Sequence, residues 1–163
     1  MKRIYSVLVE NRSGVLAKVA GLFWRRCFNI DSLTVGETED SAVSNMVIVS
    51  SGEERTLEQV EKQLNKKLDI IKVRTFNENQ GLCRELLMVK LRYKRDNRKD
   101  IMENCQILGA KIAELGHSQM IIEMCDTPER INMFLDTLKS VSILECARTG
   151  TLAMLKISES ENK

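Results

Sequence analysis

Ile4-Tyr5-Ser6-Val7-Leu8-Val9-Glu10-Asn11-Arg12-Ser13-Gly14-Val15-Leu16-Ala17-Lys18-Val19-Ala20-Gly21-Leu22-Phe23 is the stretch on which the fold turns. Ile4 to Glu10 is a short apolar run of the kind that forms a buried strand. Asn11 to Gly14 is built of turn residues. Val15, Leu16, Val19, Ala20, Leu22 and Phe23 then recur at helical spacing. Downstream, Ile30 to Val35 reads as a second strand, Glu37 to Ser41 as a polar loop, and Met46 to Val49 as a third strand closed by Ser50-Ser51-Gly52. Thr56-Leu57-Glu58-Gln59 fits a capping box with Thr56 as the cap, and Leu57, Val60 and Leu64 form one helical face. Ile70 to Phe76 is a fourth strand. The order is β-α-β-β-α-β.

Asn77 to Gly81 is polar and reads as the start of a linker, after which the order repeats. Glu85 to Tyr93 alternates as a half-buried strand. Asp96 is placed to cap a helix carrying Ile101, Cys105 and Leu108. Lys111 to Leu115 and Met120 to Met124 are strands around Gly116-His117. Thr127-Pro128-Glu129 is a strong helix start, a cap followed by proline, with Ile131, Phe134, Leu135 and Leu138 as the core face. Ile143 to Ala147 is the last clear strand, with an extension expected beyond Gly150. Two βαββαβ units imply an α+β chain of two ferredoxin-like domains. Their boundaries are expected at 1–76 and 84–157, with a linker at 77–83 and a frayed polar tail at 158–163.

Composition narrows the function classes. The chain has 163 residues, 43% hydrophobic and 29% charged, enough for a core in a soluble protein. A formal charge of only +2 gives no general attraction to nucleic acid or anionic lipid. No apolar run approaches the roughly 20 residues of a membrane span, and no leader with a cleavage site follows Met1-Lys2-Arg3. Cys27, Cys83, Cys105, Cys125 and Cys146 are scattered, without a C-x-x-C pair, so they read as free thiols of a cytoplasmic protein rather than a disulfide or zinc framework. His117 is the only histidine and sits in a turn with no nucleophile–base constellation around it. No phosphate-binding loop or metalloprotease motif is present, so no catalytic and no metal site is expected. Other uses of this fold also fail. An RNA-reading sheet needs stacking aromatics, and aromatics are only 4% here. A metal chaperone would want paired cysteines in the first loop.

That loop instead suits a small carboxylate. Gly14 precedes a helix, whose unpaired N–H groups and dipole favour an anion, and Asn11 adds an amide that both donates and accepts. Plain helix capping is the competing reading.

The residues also carry a family resemblance. Asn11-Arg12-Ser13-Gly14-Val15-Leu16 resembles the ligand loop of ACT domains, which bind amino acids at domain interfaces. Asn29-Ile30-Asp31-Ser32-Leu33-Thr34-Val35 resembles the second-strand motif of the acetolactate synthase small-subunit family, and Glu145-Cys146-Ala147-Arg148-Thr149-Gly150 its C-terminal motif. The resemblance implies that the first domain is an ACT domain and that the chain is a homodimeric, non-catalytic regulatory subunit in branched-chain amino-acid biosynthesis. Its partner would be the large catalytic subunit, which joins pyruvate to pyruvate or 2-oxobutyrate and holds thiamine diphosphate, Mg2+ and FAD. The small subunit itself would carry no cofactor, raise the partner's activity and confer feedback inhibition, commonly by valine. By the same resemblance Asn11 and Gly14 of one protomer and Asn29 of its neighbour hold the effector, with Ile30 and Leu33 lining or supporting the pocket. Two positions depart from many relatives: Cys27 stands where glycine is common, and Ala17 where some have serine. The alternative reading is an ACT-type amino-acid sensor acting on another target, such as a transcriptional regulator.

Overall fold

The computed structural model describes residues 1–157. The expected tail at 158–163 lies outside them. Nine strands and four helices follow in order among the described residues: β1 (Lys2–Glu10), α1 (Val15–Arg25), β2 (Ser32–Glu37), β3 (Val43–Ser51), α2 (Glu54–Leu64), β4 (Ile70–Phe76), β5 (Gly81–Arg92), α3 (Arg98–Leu108), β6 (Lys111–Leu115), β7 (Gln119–Asp126), α4 (Pro128–Thr137), β8 (Ser142–Arg148) and β9 (Leu152–Leu155). The described residues form two compact units, one of Met1–Leu82 with residues 151–157, the other of Cys83–Gly150.

In the first unit the sheet order is β2-β3-β1-β4, all antiparallel. Strand pleating sends Tyr5, Val7 and Val9 to one face. There they meet Val15, Val19, Leu22 and Phe23 of α1 and Val60 and Leu64 of α2 in a buried cluster. Tyr5 lies at the bottom of this layer and donates its hydroxyl to the Leu57 carbonyl at 2.8 Å. Burial pushes its phenol up to about 12. Ser6 and Leu8 point to the opposite face.

β9, expected in the stretch beyond Gly150, pairs with β5, and the chain from Thr151 packs with the first unit. Thr151 donates its N–H to Ser32 Oγ at 2.7 Å and accepts from Thr34 Oγ1 at 3.3 Å, both on β2. Further on, Lys156 N donates to the Gln80 carbonyl at 2.9 Å. Residues 77–80 make a tight turn, with Gln80 N donating to Asn77 O at 3.0 Å, and Gly81 already opens β5.

The second sheet has the order β6-β7-β5-β8, with β9 as a fifth strand paired to β5. β5 alternates without a break, its inward residues including Cys83, Glu85, Leu87, Val89 and Leu91. Glu85, only 6% exposed, is the exception to an apolar row. Arg148 answers it: Nε donates to Glu85 Oε2 at 3.0 Å, Nη2 to the same oxygen, and Nη1 to Asn132 Oδ1 at 3.0 Å. A buried carboxylate requires such a partner. Thr149 adds a reciprocal pair with the Leu86 backbone, 3.1 Å each way. The motif Glu145–Gly150 thus fastens β8 to β5.

Two helix starts differ from expectation. Thr56 is not a cap: α2 begins at Glu54 behind Glu53, and Thr56 N donates to Glu53 O at 3.0 Å. A negative residue at that end suits the helix dipole without a capping box. α3 starts one residue late, with Asn97 at the N-cap position but no side-chain cap, while Asp96 Oδ1 accepts from Asn97 N at 3.0 Å. Thr127 caps α4 as expected.

Candidate effector site

The loop between β1 and α1 is built from three local features. Asn11 N donates to Ala42 O at 2.7 Å, which ties the end of β1 to the β2–β3 turn. Its side-chain amide donates to Ser41 O at 2.8 Å and to Glu37 Oε1 at 3.0 Å. Gly14 then takes φ +85°, ψ −9° as the N-cap residue of α1, a left-handed conformation that glycine adopts without steric cost. No side chain caps this helix, and no acidic residue stands in its first turn. Among the described residues, the N–H groups of Gly14, Leu16 and Ala17 make no hydrogen bond. A Cβ on Gly14 would meet nothing within 4 Å, so the surface over the helix start is open.

The loop's own cations are occupied. Arg12 pairs with Glu10 at 3.3 Å, and Lys18 with Asp69 at 2.8 Å. The hydrogen bond from Lys18 is the leading cause that holds the Asp69 carboxyl below its ordinary range. The helix start therefore remains electropositive through its backbone.

Asn29 lies at the far end of α1. The helix closes with Cys27 N donating to Trp24 O at 3.1 Å and Phe28 N to Phe23 O at 3.0 Å, while the Phe23 and Phe28 rings meet edge to face. This is a Schellman ending, whose left-handed position glycine usually takes. Cys27 takes it here, at φ +55°. Asn29 follows, its carbonyl accepting from Ser50 Oγ at 2.6 Å and its amide donating to Asp31 Oδ1 at 2.7 Å. Ile30 and Leu33 are half-buried against the first core.

Within one chain these residues do not converge. Asn11 is bonded to Ala42, just before β3, and Asn29 to Ser50, near its end. Eight extended residues separate the two, roughly 27 Å. Asn11 and Gly14 share one end of the unit, and Asn29 occupies the other. Glu37 and Ser41, which sequence reasoning assigned only to a polar loop, complete the Asn11 end. Nothing in their spacing from Asn11 signals this, because hairpin pairing brings them there. Among the described residues no group of three or more potential metal ligands comes together, and no helix is long and apolar enough to cross a membrane.

Comparison with known proteins accounts for most of the chain. A family described as the AHAS small subunit-like ACT domain matches residues 5–72, and one described as the small subunit of acetolactate synthase matches residues 84–157. A probable acetolactate synthase small subunit of Archaeoglobus fulgidus is 43% identical over 156 residues, covering 96% of this chain and 98% of that one. The chain belongs to the acetolactate synthase small-subunit family. The isozyme 3 small subunit of Escherichia coli is 37% identical over 155 residues, covering 94% and 95% of the two chains. The crystal structure of the small subunit from Thermotoga maritima superposes with a TM-score of 0.90 at 34% identity, covering 97% of this chain and 99% of that one. Residues 5–72 thus form an acetolactate synthase small-subunit ACT domain, and the α+β fold of two βαββαβ domains is that of the family.

Proposed function

We propose that this chain is the regulatory subunit of an acetolactate synthase. It binds the thiamine-diphosphate-dependent large subunit in the cytoplasm, raises its turnover, and confers feedback inhibition by a branched-chain amino acid, with valine as the leading candidate. The chain has no catalytic role of its own, and thiamine diphosphate, Mg2+ and FAD belong to the partner.

The observation that carries this reading is the separation of Asn11 and Gly14 from Asn29, which a dimer resolves. The two edges of the first sheet are unlike. β4 carries Lys72 and Arg74, charges that discourage strand addition. β2 runs through Ser32, Leu33, Thr34, Val35 and Gly36 before its first charge, with Val35 41% exposed and Leu16 of the neighbouring helix 43% exposed. Two copies joined antiparallel along β2 about a two-fold axis place the Glu37 end of one strand against the Ser32 end of the other. Asn11, held to Glu37, then comes beside the partner's counterpart of Asn29. Two equivalent effector sites result, each with an open helix start for the carboxylate.

The test is reconstitution with the large subunit from the same source. The isolated chain is expected to form no acetolactate, and its addition is expected to raise turnover and make it valine-sensitive. A mixture no faster than the large subunit alone, or one indifferent to all three branched-chain amino acids, refutes the proposal.

A further inference from the structure

Glu37 closes β2 beside the open start of α1, and its Oε1 accepts one hydrogen bond, from Asn11 Nδ2 at 3.0 Å. Its charge is not neutralised: the loop's cations, Arg12 and Lys18, are paired with Glu10 and Asp69, and among the described residues no ion pair involves Glu37. The other carboxylate near the proposed site, Asp31, is already engaged by Asn29 Nδ2 and Ser51 Oγ. An ionised carboxylate has about four lone-pair positions, so Glu37 retains capacity for a further donor. The site thus has two poles: backbone N–H groups of α1 for an anion, and an exposed carboxylate for a cation, joined by the Asn11 amide.

We propose that Glu37 binds the α-ammonium of the effector and makes the site selective for free amino acids over the corresponding 2-oxo acids. The inference rests on the effector reading above. On that reading the catalytic partner's substrates are themselves 2-oxo acids, which present the same carboxylate to α1. Ammonium recognition is then the feature that separates an end product from a substrate.

Calorimetric titration of the full chain with valine and with 2-oxoisovalerate tests this in the parent, Glu37→Gln and Glu37→Asp. The parent is expected to bind valine at least tenfold more tightly than the 2-oxo acid. Glu37→Gln is expected to lose about tenfold or more in valine affinity, the scale of a hydrogen bond to a charged group, while binding the 2-oxo acid no worse than the parent. Glu37→Asp keeps the charge and is expected to fall between the two. Unchanged valine affinity in Glu37→Gln overturns the proposal, as does an equal loss for both ligands, which would make Glu37 a support for Asn11 only. A parent chain that binds neither ligand overturns the effector reading itself, and is distinguishable from failure of Glu37 alone.

Discussion

Helix α4 starts on Thr127, whose hydroxyl accepts from Arg130 N at 3.4 Å, followed by Pro128 and the acidic Glu129; α1 starts on Gly14 at φ +85°, with no side-chain cap and no acid in its first turn. The far ends of the helices contrast as well. α3 stops on Gly109 at φ +78°, a residue suited to that conformation, whereas Cys27 follows α1 at φ +55°. The second unit thus satisfies the start of α4 and the end of α3 locally. In the first, α1 starts without a side-chain cap, and its hydrogen-bonded end sets a non-glycine residue, Cys27, in the left-handed position. At Gly14 the missing cap leaves donors available for a ligand, and the left-handed turn at Cys27 stands two residues before Asn29.

The largest effect on this contrast is expected from Gly14→Asp. An aspartate there sets a negative charge against the effector carboxylate, a repulsion of roughly 1–4 kcal/mol at a partly dry site. Effector affinity should fall about ten- to several-hundred-fold. No atom of the chain lies in the way of the new Cβ. The left-handed backbone costs roughly 1–2 kcal/mol, which aspartate at a helix N-terminus partly offsets. The variant should therefore fold and activate the large subunit while resisting valine. Inhibition of the reconstituted enzyme and thermal shift of the small subunit measure this. If the variant remains as valine-sensitive as the parent in both, the two helix starts differ only in capping style.

A smaller effect is expected from Thr127→Ala, which removes the cap of α4. It should destabilise the protein by about 0.5–1 kcal/mol, the lower part of the capping range given the long 3.4 Å bond. Valine affinity should not change. Urea denaturation reads the first quantity, and a variant as stable as the parent would show that the cap contributes nothing.

The smallest effect should come from Cys27→Gly. Glycine relieves the left-handed conformation but adds freedom to the unfolded chain, leaving a net gain of a few tenths to about 1 kcal/mol. The thiol is exposed, so no core contact is lost. A fall in stability on chemical denaturation would mean that Cys27 is not strained where it stands.

What the sequence made legible follows the range of the interactions. β4 and β6 fall on the expected residues, and Thr127-Pro128 marks α4, because each depends on neighbours in the chain. Asn11 and Gly14 stand out for the same reason. Thr56 misled because a matching spacing does not fix where a helix begins, and Glu53 and Glu54 already supply negative charge at that end. Glu85 looked like the polar start of a half-buried strand. Its burial depends on Arg148, 63 residues away. Glu37 reaches Asn11 across 26 residues through the pairing of β2 with β3, and no local pattern records that contact.

The return of the chain at Thr151 bears on how the protein is made. A ribosome delivers the N-terminal strands first, and domains generally fold as they emerge. The four strands of the first sheet can pair once residue 76 is free. The hydrogen bond from Thr151 to Ser32 spans 119 residues and must wait until the whole second unit has been synthesised. During that interval β2 lacks its contacts with Thr151 while remaining the uncharged edge of its sheet. On the proposed mode of assembly, a nascent chain can therefore expose its dimerisation edge before that edge is finished. Two neighbouring chains on one messenger would then meet through an incompletely supported strand, and the last residues of each would set the edge only afterwards.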